Sequence, residues 1–310
     1  MSHSVKKPIR IGMIGLDTSH APAFAKLLNE PSHPYYVAGG TVVAAYPAGS
    51  PDFPLSINRV AGFTAELRDT YSAAILDSPE AVAEQADALL LISADGRVHE
   101  EHFRAVAPYG KPVFIDKPLT VDPHAALRIA EQAERYRIPV MSSSALRYAE
   151  ALTEVLRSIR TDGAEIAGAD CFGPMYMEPT QPGFYWYGVH TADMLYRVMG
   201  PGCVSVAAVR SGDSDTITGI WADGRIGTIR GSRSPGQEFA AAVHTSAGTR
   251  FADTTSHPKP YYASMLEHVI RLFHTGESDV PLMETVEIIR FLDAANRSLS
   301  SGGARIRLDS

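Results

Sequence analysis

Pro112-Val113-Phe114-Ile115-Asp116-Lys117-Pro118 is the stretch whose reading settles the fold class of this chain. An apolar run with β-branched and aromatic members ends in an acid, a base and a proline. Unbroken runs of this kind suit strands buried on both faces of a parallel sheet. Open α/β sheets bind ligands in the crevice beyond the carboxyl ends of their strands. Lys117, delivered at such an end and fixed by the following proline, is expected to face a cleft.

The same texture extends outward from this stretch. Ile9 to Ile14 reads as a first strand, Ala21 to Asn29 as a first helix, and Thr41 to Tyr46 as a second strand. Ala88 to Ile92, Pro112 to Ile115 and Pro139 to Met141 continue the series. Ser78-Pro79 and Asp122-Pro123 each set a capping side chain before a proline at the first helical position. Strands alternating with helices imply a doubly wound sheet. Beyond Arg147 the pattern changes to a helix over Ala149 to Ile159, then strand-like runs joined by Gly/Asp turns. Asp223-Gly224 between Thr216–Trp221 and Ile226–Arg230 is a hairpin signal, and helices return at Tyr262 to His274 and Glu284 to Ser298. The expectation is an α/β chain with a parallel-sheet domain over residues 1–145 and an α/β domain with a mostly antiparallel open sheet over 146–310.

With 310 residues the chain is long enough for two modest domains and a sizeable core. Its 45% hydrophobic and 20% charged content is that of a soluble globular protein. A formal charge of −7 argues against a nucleic-acid surface, which needs clustered Lys and Arg. Two cysteines, Cys171 and Cys203, suggest no disulfide framework and fit a reducing compartment. Lys6-Lys7 precede an apolar stretch that Asp17 interrupts too early for a secretory signal. No segment approaches the roughly 18 apolar residues of a membrane span. A cytoplasmic protein is expected.

Strand one runs into Gly15-Leu16-Asp17-Thr18-Ser19-His20, where a dinucleotide binder carries G-x-G-x-x-G. Gly15 permits the tight turn, but Asp17 stands at the second glycine, where a carboxylate beside a pyrophosphate is unfavourable, and His20 stands at the third. Thr18 and Ser19 offer hydroxyls and backbone N–H groups at a helix N-terminus to an anion; simple capping of the first helix by Asp17 or Thr18 explains them equally well. Strand two ends in Tyr46-Pro47-Ala48-Gly49-Ser50, with neither the acid that suits NAD nor the arginine that suits NADP. Asp52, later in this Pro-rich loop, is placed to reach back toward that position, but reads first as a solvated loop carboxylate.

With Asp116-Lys117-Pro118 downstream of this corner, the chain resembles the Gfo/Idh/MocA family of oxidoreductases, whose pattern has Glu/Asp-Lys-Pro there. His99 matches the family's T-P-x-x-H element, although Ala94-Asp95-Gly96 replaces the Thr-Pro pair. Gly188-Val189-His190-Thr191-Ala192-Asp193-Met194-Leu195 resembles the H-x-x-D-L-L segment, and Trp186 stands where the family has a catalytic Asp. The resemblance implies a Rossmann domain, then an α/β domain often used for oligomerisation as a homodimer or homotetramer. It also implies hydride transfer between NAD or NADP and a sugar, polyol or related small-molecule substrate. In these terms Lys117 and His190 are catalytic, and Asp193, Trp186 and Arg147 bind substrate. Gly15, Asp17, Thr18, Ser19, His20, Asp116 and Lys117 hold the cofactor, with no metal involved.

Histidine suits general-base duty because its ordinary pKa lies near operating pH. Asp193 is expected to orient His190 or to cap its helix, and His99 reads as a packing or capping residue. The aromatic run Phe184 to Tyr187 reads either as the wall of a sugar site or as a core strand. The departures at Asp17, strand two and Trp186 also admit a ligand-binding or regulatory protein on the same fold that has lost redox chemistry.

Overall fold

The computed structural model describes residues 7–308; Lys6, of the basic pair ahead of the first strand, lies outside them. The first sheet is built from β1 (Ile9–Ile14), β2 (Gly40–Tyr46), β3 (Ala74–Ile75), β4 (Ala88–Leu91), β5 (Val113–Ile115) and β6 (Val140–Ser142). Between them run α1 (His20–Asn29), α2 (Pro54–Tyr71), α3 (Pro79–Gln85), α4 (His99–Val106) and α5 (Pro123–Tyr136). All pairings are parallel, in the order β3-β2-β1-β4-β5-β6. Every residue of β4, β5 and β6 is buried, as their apolar runs require. The order reverses between β1 and β4, and that switch point is where such sheets open a binding crevice.

Ser78 caps α3 by accepting from Ala81 N at 3.1 Å, and Asp122 accepts from His124 N and Ala125 N at the start of α5. The sequence did not mark α2. Only Ser56 and Leu67 of that helix are buried, so it carries almost no apolar periodicity.

The second sheet comprises β7 (Ile166–Pro174), β8 (Cys203–Ser211), β9 (Ser214–Trp221), β10 (Ile226–Ser232), β11 (Ala240–Thr245), β12 (Gly248–Asp253) and β13 (Ile306–Arg307). Its order is β12-β11-β7-β10-β9-β8-β13, antiparallel except for the β7–β10 pair. The Asp223-Gly224 turn closes the β9–β10 hairpin, with Gly224 at φ 88° and Ile226 opposite Ile220. Helices α6 (Glu150–Thr161), α7 (Gly188–Met199), α8 (Tyr261–Thr275) and α9 (Leu282–Ser300) complete the chain. A side chain at Gly227 of β10 would lie 2.9 Å from Leu195, so glycine there allows α7 close onto the sheet. The Phe184–Tyr187 run is no strand: Gly183–Tyr185 is a 3-10 turn leading into α7.

Two compact units divide the chain. One holds Met1–Thr120, Leu127–Ser142 and Met265–Leu282; the other holds Val121–Ala126, Ser143–Ser264 and Met283–Ser310. A single cut at 145/146 does not describe this division, because most of α8 and the loop after it belong with the parallel sheet. His274 of that segment bonds Gly39 O at 3.1 Å, and a Cβ on Gly40 would strike Ile270 at 2.8 Å.

Candidate active site

In the first unit, the turn after β1 is a backbone device. Gly15 has φ 95°, and a Cβ there would sit 2.5 Å from Ser93 N, so both conformation and space demand glycine. Its N–H and that of Leu16 bond Tyr46 O and Pro47 O, tying the turn to the end of β2.

Asp17, at the second-glycine position, does not point where a phosphate would lie. Its side chain is fully buried, accepting from Ala94 N at 3.0 Å and from Ser56 Oγ at 2.6 Å. Burial pushes its carboxyl pKa up, against the opposing pull of those two bonds. The charge expected to repel a pyrophosphate is therefore turned into the protein. Thr18 Oγ1 accepts from His20 N, while Ser19 is exposed and makes no side-chain cap.

His20, at the third-glycine position, begins α1 and meets Asp116 from the end of β5, with Nδ1 to Oδ2 at 2.6 Å. Its ring stacks on Phe24 at 5.2 Å. Burial pushes Asp116 up, but the charge and hydrogen bond of His20, with Lys117 beyond, outweigh it and hold the carboxyl below its ordinary range. Burial lowers the pKa of Lys117, and Asp116 opposes that shift.

His99 is buried and fastens the segment behind Lys117. Its Nδ1 lies 2.9 Å from Pro118 O and 3.2 Å from Leu119 O, and its Nε2 lies 3.0 Å from Ser93 O. This is a packing role, as expected, but one aimed at the lysine's own loop.

Loops after β2 and β4 are joined by side chains. Ser50 N donates to Ser56 Oγ, and Ser50 Oγ donates to Asp95 Oδ2 at 2.6 Å. Arg97 donates to Asp95 through Nε and Nη2, and to Asp52 through Nη1 and Nη2 at 2.7 and 2.8 Å. Asp52 is exposed, yet it is not the free solvated carboxylate its loop suggested: Arg97 lowers its pKa.

The second unit holds the other expected residues. His190 lies in the first turn of α7, and its Nδ1 sits 2.7 Å from Ser144 Oγ. Ser144 is itself locked: its Oγ accepts from Leu146 N, and its N–H donates to Asp193. Asp193 therefore does not orient His190 directly. Instead it pairs with Arg147 Nη1 at 2.7 Å, while Arg147 Nη2 bonds Glu284. All three side chains of this ion cluster are nearly inaccessible. Sequence reasoning missed Ser144 and Glu284, whose partners lie far away along the chain.

Around His190 stands an aromatic wall. Tyr187 and Phe239 each meet its ring edge-on with centroids 5.6 Å away, and Tyr187 also touches Trp186 and Tyr176. Phe184 and Tyr185 are buried, whereas Trp186, Tyr187 and His190 are half-buried. Among the described residues, no three His, Cys, Asp or Glu side chains group as a metal site. No helix among them is long and apolar enough to cross a membrane.

A glycine turn after β1 of a 3-2-1-4-5-6 sheet and, in the second unit, an open, mostly antiparallel sheet define a two-unit α/β protein with a doubly wound parallel sheet. Residues 9–143 match the Gfo/Idh/MocA family model, described as an oxidoreductase family with an NAD-binding Rossmann fold.

Inositol 2-dehydrogenase 2 of Mycolicibacterium vanbaalenii is 24% identical over 144 residues, 44% of this chain and 42% of that protein. The matched stretch thus spans less than half of that relative. Apo scyllo-inositol dehydrogenase from Lactobacillus casei superposes with a TM-score of 0.81 at 12% identity, covering 98% of this chain and 99% of the other. Myo-inositol dehydrogenase from the same organism, in complex with NAD(H) and myo-inositol, gives 0.75 at 14% identity over 98% of each chain. These solved structures share the fold of this chain.

The turn fits the NAD cofactor of the family that residues 9–143 match. Gly15 has the required conformation, and the Asp17 carboxylate is withdrawn and satisfied inside. Thr18, Ser19 and the start of α1 present the backbone of a helix N-terminus beside it.

Proposed function

We propose that this chain is an NAD(P)-dependent oxidoreductase acting on a hydroxyl, or the matching ketone, of a polyol or sugar-like substrate. The observation that carries the reading is His190, fixed by Ser144 within an aromatic wall. When bound, the nicotinamide accepts or delivers the hydride. Gly15, Thr18, Ser19 and the α1 terminus would hold its phosphates.

The chain's own task at the alcohol is to move a proton. His190, whose Nδ1 meets Ser144 Oγ at 2.7 Å, serves as the base through Nε2 in the tautomer that carries its proton on Nδ1. Lys117, its pKa lowered by burial, holds the substrate oxygen and stabilises alkoxide charge as it develops. Trp186 and Tyr187 offer flat apolar faces to a ring substrate. Arg147 and Asp193, sealed in their ion cluster, support Ser144 rather than touch substrate.

A cytoplasmic setting is supported by two buried free thiols, Cys171 and Cys203. Assembly as a homodimer or homotetramer is supported by exposed Val209, Ile226 and Phe251 on strands of the second sheet; light scattering tests it directly.

The deciding assay follows nicotinamide absorbance with a panel of inositols and sugars. Substrate-dependent turnover that falls at least a hundredfold in Lys117→Ala and His190→Ala, with cofactor affinity retained, is the expected result. Failure to bind either cofactor at millimolar concentration would remove the reading.

A further inference from the structure

Asp17 stands where the fingerprint has its second glycine, a position kept free of side chain so that the backbone can approach a pyrophosphate. Here the residue meets that need in another way. Asp17 keeps a negative φ, so an L-residue sits there without left-handed strain. Its side chain is completely buried and puts nothing in the way of a ligand at the outer face of the turn.

The carboxylate then supplies what a glycine cannot. Its Oδ1 accepts from Ala94 N at 3.0 Å, in the loop after β4, and its Oδ2 accepts from Ser56 Oγ at 2.6 Å, in the first turn of α2. Ser56 Oγ in turn accepts from Ser50 N at 2.9 Å, in the loop after β2, and Ser50 Oγ donates to Asp95 Oδ2 at 2.6 Å. Asp95 follows Ala94 in the chain, so these bonds close into a ring. The ring joins the loops that follow β1, β2 and β4, and the strand order reverses between β1 and β4. Asp17, Ser50, Ser56 and Asp95 are all buried, so water does not compete for the bonds between them.

We propose that Asp17 is a positioning residue for cofactor binding: by closing this ring it holds the turn after β1 in its binding shape, so that restoring the fingerprint glycine weakens binding instead of improving it. The inference rests on the oxidoreductase reading. Glycine at position 17 opens the ring, takes the acceptor from Ala94 N and adds backbone freedom within the turn. The N–H groups of Thr18 and Ser19 must then be ordered at the moment of binding, which lowers affinity.

The test is fluorescence titration of the full chain with NADH and with NADPH, without substrate, at a temperature where circular dichroism shows every variant folded. Asp17→Gly should bind the tighter of the two cofactors about tenfold more weakly than the parent does. Asp17→Asn should stay within about threefold of the parent, because its amide oxygen still accepts from Ala94 N and its amide N–H donates to Ser56 Oγ. Ser56→Ala should weaken binding, and adding it to Asp17→Gly should weaken it no further, since the ring is already open. Hydrogen exchange in the cofactor-free protein is the second readout: amides of residues 16–20 should exchange faster in Asp17→Gly than in the parent or Asp17→Asn. Equal or tighter binding by Asp17→Gly, no rescue by Asp17→Asn, or unchanged exchange would overturn the proposal and leave the oxidoreductase reading standing. Absence of binding of either cofactor by the parent would overturn both.

Discussion

Replacing Arg147 by methionine removes the guanidinium that pairs with Asp193 and Glu284 in a buried cluster. The guanidinium side chain is 4% exposed, that of Asp193 2% and that of Glu284 8%. In the parent, burial alone would lower the pKa of Arg147, but the two carboxylates outweigh it and raise it. Burial also pushes both Asp193 and Glu284 up. Arg147→Met leaves two carboxylates buried without that ion pair, and breaking a buried pair in this way costs about 3–5 kcal/mol. At roughly 2–4 °C per kcal/mol for a unit of 150–250 residues, a loss of about 4 kcal/mol lowers Tm by about 8–16 °C.

The sign of the pH dependence follows from the same shifts. A carboxyl whose folded pKa is raised binds its proton more tightly in the folded state, so stability is recovered as pH falls through that folded value toward the unfolded value of about 4. Without Arg147 the rise is larger, so the deficit of the variant relative to the parent should be smaller at pH 5 than at pH 8. Urea unfolding followed by tryptophan fluorescence is the assay, since Trp186 and Trp221 both belong to the unit that contains the cluster. Asp193→Asn serves as comparison: Arg147 and Glu284 remain a balanced pair, but the single amide oxygen accepts from Ser144 N or from Arg147 Nη1 and not from both, so the loss should exceed the roughly 1 kcal/mol of one hydrogen bond while showing less pH dependence than Arg147→Met. A deficit below 1 kcal/mol for Arg147→Met, or one equal at both pH values, would refute the reasoning.

Three further outcomes are expected. Ser144→Ala should lower kcat about tenfold, the kinetic equivalent of one hydrogen bond of roughly 1.4 kcal/mol, with KM little changed, because it frees the His190 ring without removing it; an unchanged kcat would leave Ser144 without a role. Gly15→Ala should destabilise the first unit by roughly 1–3 kcal/mol through its left-handed backbone and the contact with Ser93, read as a fall in Tm. The depressed pKa of Asp116 gives stability that is present above the unfolded value of about 4 and is lost as pH falls through the lower folded value. The stability gap between the parent and His20→Ala should therefore narrow below about pH 4, as circular dichroism melts across pH 2–6 would record.

The parallel sheet was legible because each strand carries its own apolar run, and burial on both faces leaves that run unbroken. Most predicted termini differ from the observed ones by one or two residues, the usual fraying of element ends. Helix α2 escaped because it buries almost nothing, so no periodicity marks it. Lys117 and His190 were singled out by strand-end position and motif, and the structure sets Lys117 just past β5 and His190 in the first turn of α7. Ser144 was not, because its meeting with His190 depends on how the chain after β6 returns to α7. Asp17 shows the opposite limit: its residue type suggested repulsion of a phosphate, and only the direction of its side chain removes the objection.

The return of Met265–Leu282 to the parallel-sheet unit has a consequence for biosynthesis. A ribosome delivers chains from the N-terminus at about 5–20 residues per second, and domains generally fold as units while they emerge. Here the sheet's last strand, β6, is finished at Ser142, but the segment that bonds Gly39 and lies against Gly40 emerges more than a hundred residues later. Until that segment has left the tunnel, the start of β2 in the nascent sheet stays uncovered. A stop codon placed after the sixth strand would release a unit missing part of its own cover.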